Sequence, residues 1–153
     1  MKFSGELTVQ APRAQVYDKV RDARFFASCV DGVSELAETA PDTYAAVLET
    51  KVAYMKFSFK VTVAVVRADP PREIEAKVEG TPLGIVGRFT ATALTRLSEA
   101  GDDTRIAYEV DAALTGKLGS LGQPVLRAKA KDMERQFAAR LATAFAGPTL
   151  ATP

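Results

Sequence analysis

Apolar and polar residues alternate through most of the chain. In "FSGELTVQ", Phe3, Gly5, Leu7 and Val9 share one side and Ser4, Glu6, Thr8 and Gln10 the other, which predicts a half-buried strand. Pro12 opens a short helix, where its missing N–H costs nothing, with Val16, Val20 and Ala23 on its apolar side. "RDARFFASCVDGV" predicts a second short helix ending at the Asp31-Gly32 turn. Strands resume near Val33. Over residues 44–54 the even positions Tyr44, Ala46, Leu48, Thr50, Val52 and Tyr54 form one face. In "MKFSFKVTVAV" the face is odd: Phe57, Phe59, Val61, Val63 and Val65. Asp69-Pro70-Pro71 breaks the pattern, because proline cannot continue a paired strand. Three further strands follow, marked by Ile74, Ala76 and Val78, by Phe89, Ala91, Ala93 and Leu97, and by Ile106, Tyr108, Val110, Ala112 and Leu114.

After Pro124 the period lengthens. Leu126, Ala130, Met133, Phe137, Leu141 and Ala144 form one stripe of an α-helix, with Arg127, Lys129, Lys131, Asp132, Glu134 and Arg135 largely off it. From residue 124 to 146 this helix would span roughly 34 Å at about 1.5 Å per residue. A ten-residue strand spans a similar distance, roughly 33 Å. The helix therefore matches the full length of a sheet. Gly147-Pro148 is expected to end it, leaving 147–153 as a short disordered tail. The element order predicts an α+β fold in which a curved antiparallel sheet wraps around a long C-terminal helix, with two short helices after the first strand. Residues 1–146 are expected to form one domain with space between sheet and helix.

Composition narrows the chemistry. The 153 residues contain no histidine and one cysteine, Cys29. His-dependent triads, His metal ligands, internal disulfides and single-chain thiolate clusters are thereby excluded. The net charge of +1 gives no global field to attract nucleic acid. No apolar run is long enough to cross a membrane, and "MKFSGELTVQ" lacks the apolar core of a signal peptide, so a cytoplasmic protein is expected.

Four features are candidates for function. Gly116, Gly119 and Gly122 lie just ahead of the helix. They lack the spacing of a phosphate loop, and a hairpin-rich pattern is the wrong context for one. Either a plain connector or a mobile gate carrying Leu118 and Leu121 over a cavity mouth remains. Cys29 has no histidine to activate it and reads as a small buried hydrophobe. The inward strand residues Tyr44, Leu48, Tyr54, Phe57, Phe59, Val61, Phe89, Ala91, Tyr108 and Val110, with Met133 and Phe137 from the helix, suit either a packed core or a greasy pocket with a few polar points. No Asp, Glu, Lys or Arg falls on the inferred inward strand faces, which argues against acid–base catalysis in the cleft. Arg127, Lys129, Lys131, Arg135 and Arg140 give the last helix a basic excess, either a solvated face or a docking patch for anionic headgroups or an acidic partner.

The element order resembles the helix-grip fold of the START and pollen-allergen (SRPBCC) superfamily. "GELTVQAPRAQVYDKVRDARFFASCVDGVSEL" is similar to the start of the CoxG-like proteins, a family of carbon monoxide dehydrogenase subunits, through Gly5, Ala11-Pro12, Val16, Asp22, Cys29-Val30 and Gly32. "TRIAYEVDAALTGKLGSLGQPVLRAKAKDMERQF" resembles the family's ending. Asp31 and Tyr17 depart from the family pattern, where proline and tryptophan are usual. The resemblance implies a non-enzymatic carrier for a hydrophobic molecule, a respiratory quinone or related lipid, with no cofactor. It implies service to a molybdenum-containing CO-dehydrogenase-type oxidoreductase, with transient contact at the inner membrane face. Two alternatives stay open: a cyclase- or hydrolase-type enzyme of the same superfamily, and an assembly factor whose cavity is filled by its own side chains.

Overall fold

The computed structural model describes residues 1–150, with 146–150 described by backbone alone; the last helix continues through Gly147-Pro148 to Leu150 instead of ending there as expected, and residues 151–153 of the expected tail lie outside the described residues. Seven strands form one antiparallel sheet: β1 (Lys2–Val9), β2 (Val33–Ala40), β3 (Thr43–Val52), β4 (Met55–Asp69), β5 (Glu73–Pro82), β6 (Gly87–Ala100) and β7 (Asp103–Gly116). Their spatial order is β1-β7-β6-β5-β4-β3-β2. All connections from β2 to β7 are hairpins between neighbours; β1 alone crosses over, to pair with β7. The helices are α1 (Arg13–Arg21), α2 (Ala23–Ser28) and α3 (Gln123–Leu150). The sheet is curved and grips α3, the helix-grip α+β arrangement.

Register puts the alternating residues on one face. Leu48 pairs with Phe59, Val61 with Gly80, Val78 with Ala91, Ala93 with Val110, and Tyr108 with Gly5. Directly paired residues share a face, so the inward phase read from the alternation of these strands is one continuous concave surface. Tyr54 is the exception. The strands end at Val52 and Met55, which pair across a two-residue turn, and Ala53 takes φ +56° there. Such tight turns need a positive φ, and they throw the second turn residue outward. Tyr54 is therefore fully exposed, although it keeps the alternation of its strand.

Two apolar clusters close the two ends of the sheet–helix space. At one end Val9, Val16, Tyr17, Ile74, Leu97 and Ile106 surround Leu141 of α3, which is 0% exposed, and Leu7, Phe25, Val65 and Phe137 pack against them. Buried Thr104 belongs here too, and its hydroxyl donates to the Ala11 carbonyl at 2.8 Å. At the other end Val52, Phe57 and Leu118 form the centre, with Phe59, Ile85, Phe89, Leu114, Leu121 and Val125 around them.

Local chemistry sets the helix ends. Asp22 stops α1 and caps α2, its carboxylate accepting from the Arg24 and Phe25 amides at 2.9 and 3.2 Å. The α2 helix ends at Ser28, short of the expected Asp31-Gly32 turn. Gly32 has φ +86°, and a Cβ there would overlap the Glu49 carbonyl, whose own amide donates to Gly32. Only glycine fits that crossing. Asp31 pairs with Arg140, tying this turn to α3.

Burial also raises two pKa values near α1 and α2. Desolvation pushes the Cys29 thiol up, partly offset by its Ser28 hydrogen bond and by Arg140. Desolvation likewise raises the Tyr17 phenol, with Arg21 opposing and Asp69 and Asp18 adding to it. Both groups hold their proton more tightly when folded. The stability they contribute is complete below their ordinary values of 9.0 and 10.0 and is lost as pH rises through the raised folded values. Urea unfolding across alkaline pH is expected to show stability falling above about pH 9, with the earlier part of that fall absent in Cys29→Ala. In the same assay at neutral pH, Leu141→Ala is expected to lose about 2–5 kcal/mol, the range for a large core truncation.

Candidate ligand-binding site

Between the two clusters the concave face changes in size and exposure. The side chains nearest the ends are large: Phe57, Phe59, Phe89 and Leu114 on one side, Ile74, Leu97 and Ile106 on the other. The middle is lined by smaller ones, among them Ala46, Val61, Val63, Ala76, Val78, Ala91, Ala93 and Val110. Apart from buried Ala91, these central residues are half-buried on the face toward α3, as are Leu48, Tyr108 and Met133. Between the two end clusters the face toward α3 is thus apolar and built of short side chains.

The expected lining residues divide into three groups. Leu48, Val61, Ala91, Tyr108 and Val110 lie on the middle of the concave sheet, with Met133 half-buried on α3, whereas Tyr44, near the start of β3, faces Arg21 of α1. Phe57, Phe59, Phe89, Leu118 and Leu121 form the cluster that seals one end. Phe137 packs against the opposite cluster and its ring meets Phe26 at 4.9 Å between centroids. Tyr54 takes no part.

The glycine segment is an ordered plug. Leu118 is 2% exposed and leads into a 3-10 turn, Gly119–Leu121, before α3 begins. The Lys117 amide donates to the Val86 carbonyl at 3.0 Å, and the Ser120 and Leu121 amides close the turn. Gly116 pairs with Gly87, takes φ +64°, and a Cβ on it would sit 2.5 Å from the Val86 carbonyl oxygen. Gly122 has φ +89° as the chain turns into α3. Two of the three glycines thus meet backbone demands, and the segment holds Leu118 in its seat.

Sequence reasoning counted Tyr108 among the inward polar points but missed Glu134 beside it. Gly5 on β1 has no side chain, and its place is taken by two others: a Cβ there would lie 2.5 Å from Tyr108 Oη and 2.9 Å from Glu134 Oε2. The helical stripe sets Glu134 aside as a polar residue. It nevertheless lies four residues after Ala130 and three before Phe137, and that spacing turns it toward the sheet. Thr95, cross-strand partner of Tyr108, adds an inward hydroxyl. The concave face therefore offers a phenol, a carboxylate and a hydroxyl in an otherwise apolar wall. Glycine within a strand often marks such a close approach.

Other candidates have other roles. Cys29 is buried and its thiol is held protonated. Most of the basic set on α3 is engaged: Arg127 donates to the Lys2 carbonyl and covers the Phe3 ring, Arg135 pairs with Asp132, and Arg140 with Asp31. Among the described residues no group of acidic or Cys side chains is placed to hold a metal ion. A depression of about 280 Å³ lies where Arg21, Arg24, Glu38 and Tyr44 meet, and there Arg21 donates to Asp42 at 2.7 Å. A larger one, about 1020 Å³, is lined mainly by the outer face of β5, β6 and β7. Its Glu75, Lys77, Glu79, Thr90, Thr92, Glu109 and Asp111 suit water better than an apolar ligand.

Solved structures share this architecture. A conserved protein from Geobacillus kaustophilus is 22% identical with a TM-score of 0.89, each chain covering 96% of the other. A START superfamily protein from Mycobacterium smegmatis has a TM-score of 0.71 at 13% identity, covering 94% of this chain and 95% of its own. An aromatase/cyclase from a Streptomyces species has a TM-score of 0.68 at 15% identity, covering 94% and 92%. At these identities the likeness establishes the fold alone. No curated protein matches the sequence. The carbon monoxide dehydrogenase subunit family CoxG matches residues 5–146, nearly the whole described domain, and the chain belongs to that family.

Proposed function

We propose that the protein is a non-enzymatic carrier that holds a hydrophobic molecule, a quinone or lipid, between the sheet and α3. The observation that carries this reading is the half-buried apolar middle of the concave face, made of short side chains and flanked by two apolar clusters. Exposed apolar surface inside a fold is unfavourable unless something covers it. Each buried CH₂ contributes roughly 0.8 kcal/mol, so one five-carbon isoprenoid unit supplies about 4 kcal/mol gross. Two or three units, after association costs, reach about micromolar affinity without any ion pair. Tyr108, Thr95 and Glu134 would meet the polar end of such a ligand. Family membership supports a carbon monoxide dehydrogenase-type molybdenum oxidoreductase as the partner served. The gate in this reading is the segment of Gly116, Gly119 and Gly122, with Leu118 as its plug and Leu121 beside it.

One observation favours a second reading. A phenol and a carboxylate side by side over Gly5 could donate and accept a proton, as an enzyme of the cyclase type would need. The aromatase/cyclase among the similar structures makes that class of reaction the one to test.

Native mass spectrometry of gently purified protein is expected to show a bound apolar molecule. Ala93→Phe, which fills the middle of the concave face, is expected to weaken binding of that molecule at least about ten-fold while thermal stability holds or rises. A ligand-free mass, or unchanged affinity in the filled variant, defeats the carrier. Tyr108→Phe and Glu134→Gln are expected to change affinity without abolishing any chemical turnover. A turnover that disappears in either variant establishes the enzyme instead.

A further inference from the structure

The sheet has two edges, and the sequence treats them differently. β2 is broken by register shifts between Ser34 and Ala37 and between Glu38 and Ala40, Glu35 takes φ +55°, and α2 packs beside it. Irregularities of this kind stop an edge from accepting another strand. β1 has none of these devices. It pairs with β7 in unbroken register from Lys2 to Val9 and contains no proline.

Met1 and Ala112 exchange both main-chain bonds, at 2.7 and 2.8 Å, so in the antiparallel alternation Phe3, Gly5, Leu7 and Val9 bond to β7. The amides and carbonyls of Lys2, Ser4, Glu6 and Thr8 then point away from the sheet. Of these only the Lys2 carbonyl has a partner among the described residues, the Arg127 guanidinium at 3.1 Å, and a carbonyl has a second lone pair to offer. The same four residues carry exposed side chains on the outer face. Lys2 has no ion-pair partner among the described residues, and Glu6 reaches only exposed Arg105, 3.4 Å away.

We infer that β1 is a self-association edge, to which a second copy of the chain adds its own β1 antiparallel, about a twofold axis through Ser4. Only residues whose main-chain groups point outward can bond across such an axis, so even positions must face even positions. Centred on Ser4, the register sets Lys2 of each copy opposite Glu6 of the other, and Ser4 opposite Ser4. Reciprocal Lys–Glu pairs then form on the outer face, and the outward groups supply about six main-chain hydrogen bonds. Centred on Gly5 instead, the register sets Lys2 opposite Thr8 and leaves it without a counter-charge. A parallel arrangement stacks Lys2 on Lys2 and Glu6 on Glu6. The placing of one cation and one anion along β1 thus specifies a single partner, this strand itself, in one register and one direction. A short strand pair buries less than the roughly 1,200 Å² of a stable interface, so the dimer is reversible and depends on concentration. The inference is independent of what the face beneath α3 holds.

Sedimentation velocity of the untagged protein is expected to show a monomer–dimer equilibrium at concentrations up to about 1 mM. Ser4→Pro removes an amide that the monomer leaves unbonded and the dimer uses, and an edge strand tolerates proline at such a position. This variant is expected to stay monomeric, with circular dichroism and thermal unfolding close to wild type. Glu6→Lys brings like charges together on both sides of the axis and is expected to weaken the dimer about ten-fold. Adding Lys2→Glu to it restores opposite charges and is expected to recover association. That swap reads the register even where Ser4→Pro unfolds the chain. A wild type that is monomeric at about 1 mM overturns the proposal. So does a dimer that persists in folded Ser4→Pro, which places the contact on another surface, and so does equal association of Glu6→Lys and the charge-swapped variant.

Discussion

A straight helix cannot touch a curved sheet along its whole length, and here the contacts are concentrated at the ends. Leu141 sinks into one cluster and Leu118, just ahead of α3, into the other. Between these positions the concave strands carry a row of alanines and valines, short side chains under the middle of α3. The character of that face is thus set by where the large side chains are spent.

The same division explains the chemistry. Polar groups on this face are few and come from three different elements: Tyr108 from β7, Thr95 from β6 and Glu134 from α3. Tyr108 and Glu134 come together because β1 offers no side chain at Gly5. One residue without a Cβ, on an edge strand, creates room for a carboxylate on that side of the helix–sheet interface. The effect is local, and it gives an otherwise greasy surface one end that differs from the other.

Much of the fold was legible because strand phase is a strict parity. Phe57, Phe59, Val61, Val63 and Val65 face inward for the same reason that Ile106, Tyr108 and Val110 do, and one misjudged step would have inverted a whole strand. Parity does not say where a strand stops, however. Tyr54 keeps the alternation and still sits in a turn. Helix faces are graded, not binary, so a stripe of apolar residues leaves Glu134 outside although its neighbours Ala130 and Phe137 already place it near the sheet. The two end clusters could have been anticipated from the gradient of side-chain size along the strands, large at both ends and small between. The three glycines suggested looseness, but propensity alone could not reveal that Gly116 and Gly122 serve backbone angles forbidden to other residues.

The Asp31–Arg140 pair has a mechanical consequence. Together with Leu141 it anchors the far half of α3, while the near half is held by Leu118, Leu121 and Val125 in their cluster and by Arg127 on the Lys2 carbonyl and the Phe3 ring. An exposed pair of this kind adds little to overall stability, on the order of 1 kcal/mol at most. It nevertheless ties the turn after α2 directly to the helix, so the rod is fastened at its far half by a short element as well as by the sheet.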